Sequence, residues 1–195
     1  MDGMELHITG DPAADKLLTE DDFALLTGML LDQQVTMESA FAGPEKIRTR
    51  LGSLKPDAIA THDPAAFVEL FKERPAVHRF PGSMAARVQA LAAAVQDEWD
   101  GETAAIWTKG SPDGAEVLRR LKALPGFGEQ KAKIFLALLG KQRGLTATGW
   151  REAAGHYGDD GAYLSVADIV DPESLAKVRA SKQAAKAAAK AGKER

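Results

Sequence analysis

Apolar residues recur along this chain mostly at three- and four-residue intervals, the spacing that lines one face of an α-helix. In residues 21–35, DDFALLTGMLLDQQV, Phe23, Leu26, Leu30 and Leu31 fall on one side, behind two aspartates placed to cap a helix start. Residues 82–99 repeat the pattern with Val88, Leu91 and Val95, and residues 111–124 and 129–140 carry two further helices. Shorter helices are predicted at 44–52, opened by proline and closed by glycine, and in PDAIATHD and DPAAFVELFKE. After Gly144 the period loosens into two short candidates, TGWREAAGHYG and SVADIVDPESLAKV. Only MELHIT, near the start, alternates like a strand, and nothing demands a sheet. The pattern predicts an all-α protein of roughly ten short helices with short linkers.

One junction breaks the regularity. Between helices 111–124 and 129–140 stands Leu124-Pro125-Gly126-Phe127-Gly128. Proline stops the first helix, and each glycine can take a positive φ and let another backbone approach. The second helix begins near Gly128, so its free N–H groups and positive dipole end point out of the corner, an arrangement suited to phosphate. Lys131 and Lys133 lie in its first turns and add positive charge, while Leu124 and Phe127 anchor the turn in the core.

Composition narrows the chemistry. The 195 residues are 45% hydrophobic, enough for a real core and too apolar for a disordered chain. There is no cysteine, which excludes disulfides, cysteine-ligated zinc or iron–sulfur clusters and cysteine nucleophiles. His7, His62, His78 and His156 have no metal-ligand spacing. No apolar run reaches the roughly 20 residues of a membrane span, and the opening MDGMELHITGDP is unlike a signal peptide. A soluble cytoplasmic protein is expected. Net charge is −3, but unevenly spread: residues 177–195 hold seven cations against Glu194 alone, a net +6, and the remainder carries −9. The Ala/Lys-rich stretch 181–195 has high helix propensity and no apolar stripe, so it reads as a solvated, frayed helix or as a mobile basic arm that touches phosphates; the two are compatible.

LPGFGEQKAKIFLALLG (124–140) resembles the helix-hairpin-helix signature of the HhH-GPD superfamily of base-excision DNA glycosylases, which includes endonuclease III, the adenine glycosylase and the alkyladenine glycosylases. FALLTGMLLDQQVTMESAF (23–41) is similar to the family's early helix, where a glutamine faces DNA, and FPGSMAARVQALAAAV (80–95) to the helix two before the hairpin. Order and spacing agree over roughly residues 21–145. The resemblance implies a two-lobed helical fold, with residues 21–143 as the lobe carrying the hairpin and residues 1–20 plus 144–180 as the second. It implies a hairpin (124–128, with Gln130, Lys131 and Lys133) that grips the backbone of damaged or mismatched double-stranded DNA. It implies that the carbonyls of Leu124 and Phe127 would hold a monovalent cation, K+ or Na+. It further implies that the lesion is flipped into a cleft, with Gln33 or Gln34 filling the gap. Trp150, His156 and Tyr157 are candidates for the base pocket, although a lone Trp equally suits a core and GHYG a turn. A monomer with no other cofactor is expected.

The chain also departs from the family. The Schiff-base lysine of bifunctional members belongs two residues after the last hairpin glycine, where this sequence has Gln130, so a monofunctional enzyme is expected. The catalytic aspartate belongs in 144–155, where Thr146, Ala147, Thr148 and Gly149 stand instead. Glu152 and Asp32 are the substitute carboxylates to weigh. Asp168 and Asp171 look like helix caps. Without a carboxylate the chain reads as a non-catalytic DNA lesion binder on a glycosylase scaffold; the acidic body leaves a protein–protein adaptor as a third reading.

Overall fold

The computed structural model describes residues 5–194. Among the described residues it has eleven α-helices, two 3-10 turns and no strand. The helices are α1 (Pro12–Glu20), α2 (Asp22–Leu31), α3 (Met37–Leu51), α4 (Pro56–Thr61), α5 (Pro64–Lys72) and α6 (Pro81–Trp99). They continue as α7 (Ala105–Thr108), α8 (Gly114–Lys122), α9 (Glu129–Gln142), α10 (Trp150–Ala154) and α11 (Pro172–Lys193), with 3-10 turns at Gly155–Gly158 and Val166–Asp168. No helix among them is long and apolar enough to cross a membrane.

α2 is buried along its length from Phe23 to Leu31, as befits a helix apolar on all sides. α3 crosses it closely because two glycines leave room. A Cβ on Gly28 would lie 2.4 Å from Phe41 Cδ1, and one on Gly43 would lie 2.5 Å from Leu31 Cδ1. α1 packs on α2 and α3, while α4 and α5 pack on α6. α8, α10 and both 3-10 turns gather around α9, and α2 touches both α6 and α9, so one apolar core runs through the two groups. Arg143, just past α9, ties the groups together by donating to the Thr19 carbonyl and the Asp22 carboxylate.

Three local expectations are corrected. α2 stops at Leu31, short of the glutamines; Gln33 N–H donates to Leu31 O at 2.8 Å and Gln34 takes φ +57°, so the glutamines sit on a tight turn. α3 begins at Met37, capped by Thr36, and Pro44 lies inside it rather than at its start. Burial of Met37, Ala40 and Phe41 outweighs the local proline signal. Of MELHIT, Met4 lies outside the described residues and 5–9 make no strand, with Leu6 and Ile8 fully buried. The N–H groups of Ile8, Thr9 and Gly10 donate to the Asp15 carboxylate, and that of Leu6 to Thr19 Oγ1, so side chains of α1 replace a partner strand. At the other end α11 is continuous, so the basic stretch extends a helix begun at Pro172.

Candidate functional site

The corner at 124–128 forms as its residues dictate. Phe127 N–H donates to Leu124 O at 3.2 Å, Gly126 takes φ +81°, and the Leu124 and Phe127 side chains are buried. The two glycines do different work. A Cβ on Gly126 would lie 2.3 Å from Leu30 Cδ1, so this glycine docks the corner on the end of α2. Gly128 is the N-cap of α9, with φ −74°, no side-chain cap and nothing within 4 Å of an added Cβ. Its lack of a side chain serves nothing inside the protein; it leaves the first amides of α9 open to an approaching anion.

Lys131 and Lys133 diverge around α9. Lys133 turns to Glu129 at 3.5 Å. Lys131 turns inward, donating from Nζ to Leu30 O at 2.7 Å, a carbonyl left free by the end of α2. Burial lowers its ammonium to about 8, although nearby Asp32 pulls the other way. Asp32 caps α2 with its side chain only 8% exposed, 3.7 Å from Lys182 Nζ of α11. Burial pushes its carboxyl above the ordinary range against the pull of Lys182 and Lys131. Hairpin, glutamine turn and C-terminal helix thus meet around one carboxylate and two cations.

The glutamine turn is braced from below. His78, 2% exposed, accepts Phe80 N–H at Nδ1 (3.0 Å), which leaves the proton of the neutral ring on Nε2. Nε2 donates to Leu31 O and Gln33 O, both at 3.1 Å. Burial lowers the ring's pKa and so favours this neutral form. Gln33 Nε2 contacts Met84 Sδ at 3.4 Å, whereas Gln34 is exposed. Phe80 is 41% exposed, with the Arg79 guanidinium over its ring. His78, Phe80 and Arg79 escaped sequence reasoning as site residues, and Lys182 was legible only as one cation of the basic C-terminal stretch. HRFPGSM carries no spacing that points to the turn, and an exposed aromatic beside proline is a signal only once exposure is known.

The other candidates fall into two places. Gln130 donates to Tyr157 Oη at 3.0 Å, and His156 stacks on Tyr157 with ring centroids 4.2 Å apart, so these three gather on the other side of the start of α9. Trp150 does not join them. Its ring fills the space a side chain at Gly140 would need, within 2.4–2.5 Å of a Cβ there, ten residues along α9 from Gln130. That is about 15 Å of helix, and the contact is packing. Glu152 is exposed on α10 near the same end. The loop where the resemblance places an aspartate is also engaged elsewhere: Thr148 O accepts Gly114 N–H at 2.8 Å, capping the end of α8 away from the hairpin. Among the described residues no cluster of His, Cys, Asp or Glu could hold a metal.

An all-helical chain whose glycine corner opens helix amides beside a glutamine turn is built as a helix-hairpin-helix protein. The family model described as HhH-GPD superfamily base excision DNA repair protein matches residues 27–194. The chain belongs to this superfamily, and the match takes in the glutamine turn, the hairpin and the whole of α11. A comparison with curated proteins finds no match.

Proposed function

We propose that this protein is a monofunctional DNA glycosylase that hydrolyses the N-glycosidic bond of a damaged or mismatched base in duplex DNA. What carries the reading is the meeting of hairpin and glutamine turn around Asp32, held by Gly126 against Leu30 and by Lys131 on the Leu30 carbonyl. The open amides after Gly128 grip a phosphate, and Leu124 O and Phe127 O would hold a monovalent cation that adds positive charge there. Gln34, exposed on its strained turn, fills the space left by the flipped nucleotide, and Phe80 wedges beside it. His156 and Tyr157 face the base from the opposite wall.

The chemistry asks for one carboxylate. As the C1′–N bond breaks, its electron pair leaves with the base, which takes up a proton, and positive charge grows on the sugar. Water then adds at C1′ and loses a proton. Asp32 supports this better than Glu152, because it lies in the cluster at the hairpin while Glu152 is exposed near Trp150. Lys131 is engaged with the Leu30 carbonyl, consistent with hydrolysis and without a Schiff base. The second reading, a lesion binder without catalysis, draws on the same residue: Asp32 is already paired with Lys182, and burial favours its neutral form. Titration of a duplex carrying an abasic-site analogue, against the intact duplex, tests both readings together. Preference for the abasic duplex is expected; equal or no binding would sink them.

A further inference from the structure

The C-terminal helix has a property that the hairpin reading leaves unused. Between Glu173 and Glu194 it contains no acidic residue and six basic ones. Five of these, Arg179, Lys182, Lys186, Lys190 and Lys193, follow one another at intervals of three or four residues. That spacing puts them within about 80° of arc on one face, over about 21 Å of helix. Lys177 falls on the opposite side, bonded to Glu173 and over the Tyr163 ring.

The stripe has an anchored end and an open end. Arg179 pairs with Glu38 and Lys182 with Asp32, which fixes the helix beside the glutamine turn. Between Arg179, Lys182 and Lys186 on one side and Gln34, Thr36 and Arg79 on the other lies a groove of about 600 Å³, with Glu38 on its floor held by Arg179. From Gln183 to Glu194 every residue is exposed, and Lys186, Lys190 and Lys193 make no ion pair among the described residues. Alanines fill most positions between them, so no bulk shields the cations. Lysines four apart on a helix repel each other, and this arrangement offers no internal compensation. An array of anions at regular spacing would relieve it.

We propose that this face is a second DNA-backbone site: the phosphates of one strand enter the groove beside Gln34 and continue along Lys186, Lys190 and Lys193. At roughly 3.4 Å per base pair, the stripe covers about six base pairs to one side of the glutamine turn. An anionic membrane is the weaker partner, since the stripe is flanked by alanine and carries no large apolar residue to insert. The proposal rests on the DNA reading of the hairpin, and extends its footprint.

The test is the salt dependence of binding to a duplex of about 24 base pairs with a central abasic-site analogue, for the full chain and three variants. Each lysine–phosphate contact contributes about 0.9 to the slope of log K against log salt. The triple variant Lys186→Gln, Lys190→Gln, Lys193→Gln should flatten the slope by about 2.7, with helix content by circular dichroism retained. Lys177→Gln should leave the slope unchanged, and Gly128→Ala should lower affinity without flattening it. On a duplex that ends about two base pairs beyond the abasic site on the stripe side, the triple variant and the unaltered protein should bind alike. An unchanged slope in the triple variant, with Gly128→Ala still impaired, overturns this inference and leaves the hairpin reading standing. Failure of the unaltered protein to bind duplex DNA overturns both. Lysine-dependent binding to phosphatidylserine vesicles, with no slope change on DNA, assigns the stripe to a membrane and overturns it as well.

Discussion

The two hairpin glycines should respond to alanine in opposite ways. At Gly126 the added methyl meets Leu30 Cδ1 at 2.3 Å, and Leu30 is fully buried, while φ is +81°. A left-handed alanine costs roughly 1–2 kcal/mol and overpacking about 1–3 kcal/mol, so Gly126→Ala should lose about 2–5 kcal/mol of stability. For a chain of this size that is roughly 4–20 °C in melting temperature. At Gly128 φ is −74° and a methyl group touches nothing. The remaining cost is a poorer helix cap, about 1 kcal/mol or less. The same methyl projects where a phosphate must approach the α9 amides, and a lost charge-assisted hydrogen bond is worth about 1.5–3 kcal/mol. Gly128→Ala should therefore melt within a few degrees of the unaltered protein yet bind abasic-analogue duplex about 10- to 150-fold more weakly. Thermal unfolding with fluorescence anisotropy on the same samples reads both quantities. A stable Gly128→Ala protein with unchanged affinity would refute the reasoning, since the open corner would then grip nothing.

Asp32→Asn should move the Lys131 midpoint further below about 8, because burial lowers it and the Asp32 charge opposes that lowering. Carbon-13 NMR of reductively methylated lysines reads the midpoint, and an upward or absent shift contradicts an influence of the Asp32 charge on Lys131. His78 is held neutral below its ordinary 6.5, so the unfolded chain takes up the proton first and stability should fall as pH drops through 6.5. His78→Gln, which retains a donor for the two carbonyls, should lessen that fall in denaturant titrations; an identical pH profile would remove His78 from the account. Gln34→Gly should match or exceed the unaltered protein by up to about 1 kcal/mol, since φ +57° suits glycine, while weakening binding to the abasic duplex. A stability loss with full affinity would place Gln34 in the fold and not at DNA.

What the chain disclosed in advance was local. The all-α class followed from helical apolar spacing, and the hairpin from proline and glycine between two strong periods, because both are decided by neighbours a few residues apart. The glutamine turn was not legible: DDFALLTGMLLDQQV keeps its helical period to Val35, and the break after Leu31 is enforced by His78, 47 positions away. Lys131 likewise resembled a surface cation until its Nζ was found on Leu30 O, 101 positions distant. Asp32 gained its standing over Glu152 from a lysine of the C-terminal helix. The Ala/Lys stretch carried its stripe openly in the spacing, but only its docking beside Gln34 gave the stripe a direction. Trp150, whose aromatic ring suggested a base to stack on, packs that ring over the backbone of Gly140.

The central claim is that base release takes place beside the hairpin with Asp32 as the carboxylate. A panel of duplexes with damaged and mismatched bases, incubated with the protein and then cut with alkali at abasic sites, measures it directly. At least one substrate should be cleaved, and Asp32→Asn should abolish that cleavage while abasic-duplex binding persists. Cleavage that survives Asp32→Asn undiminished, or none from any substrate despite tight binding, would contradict it.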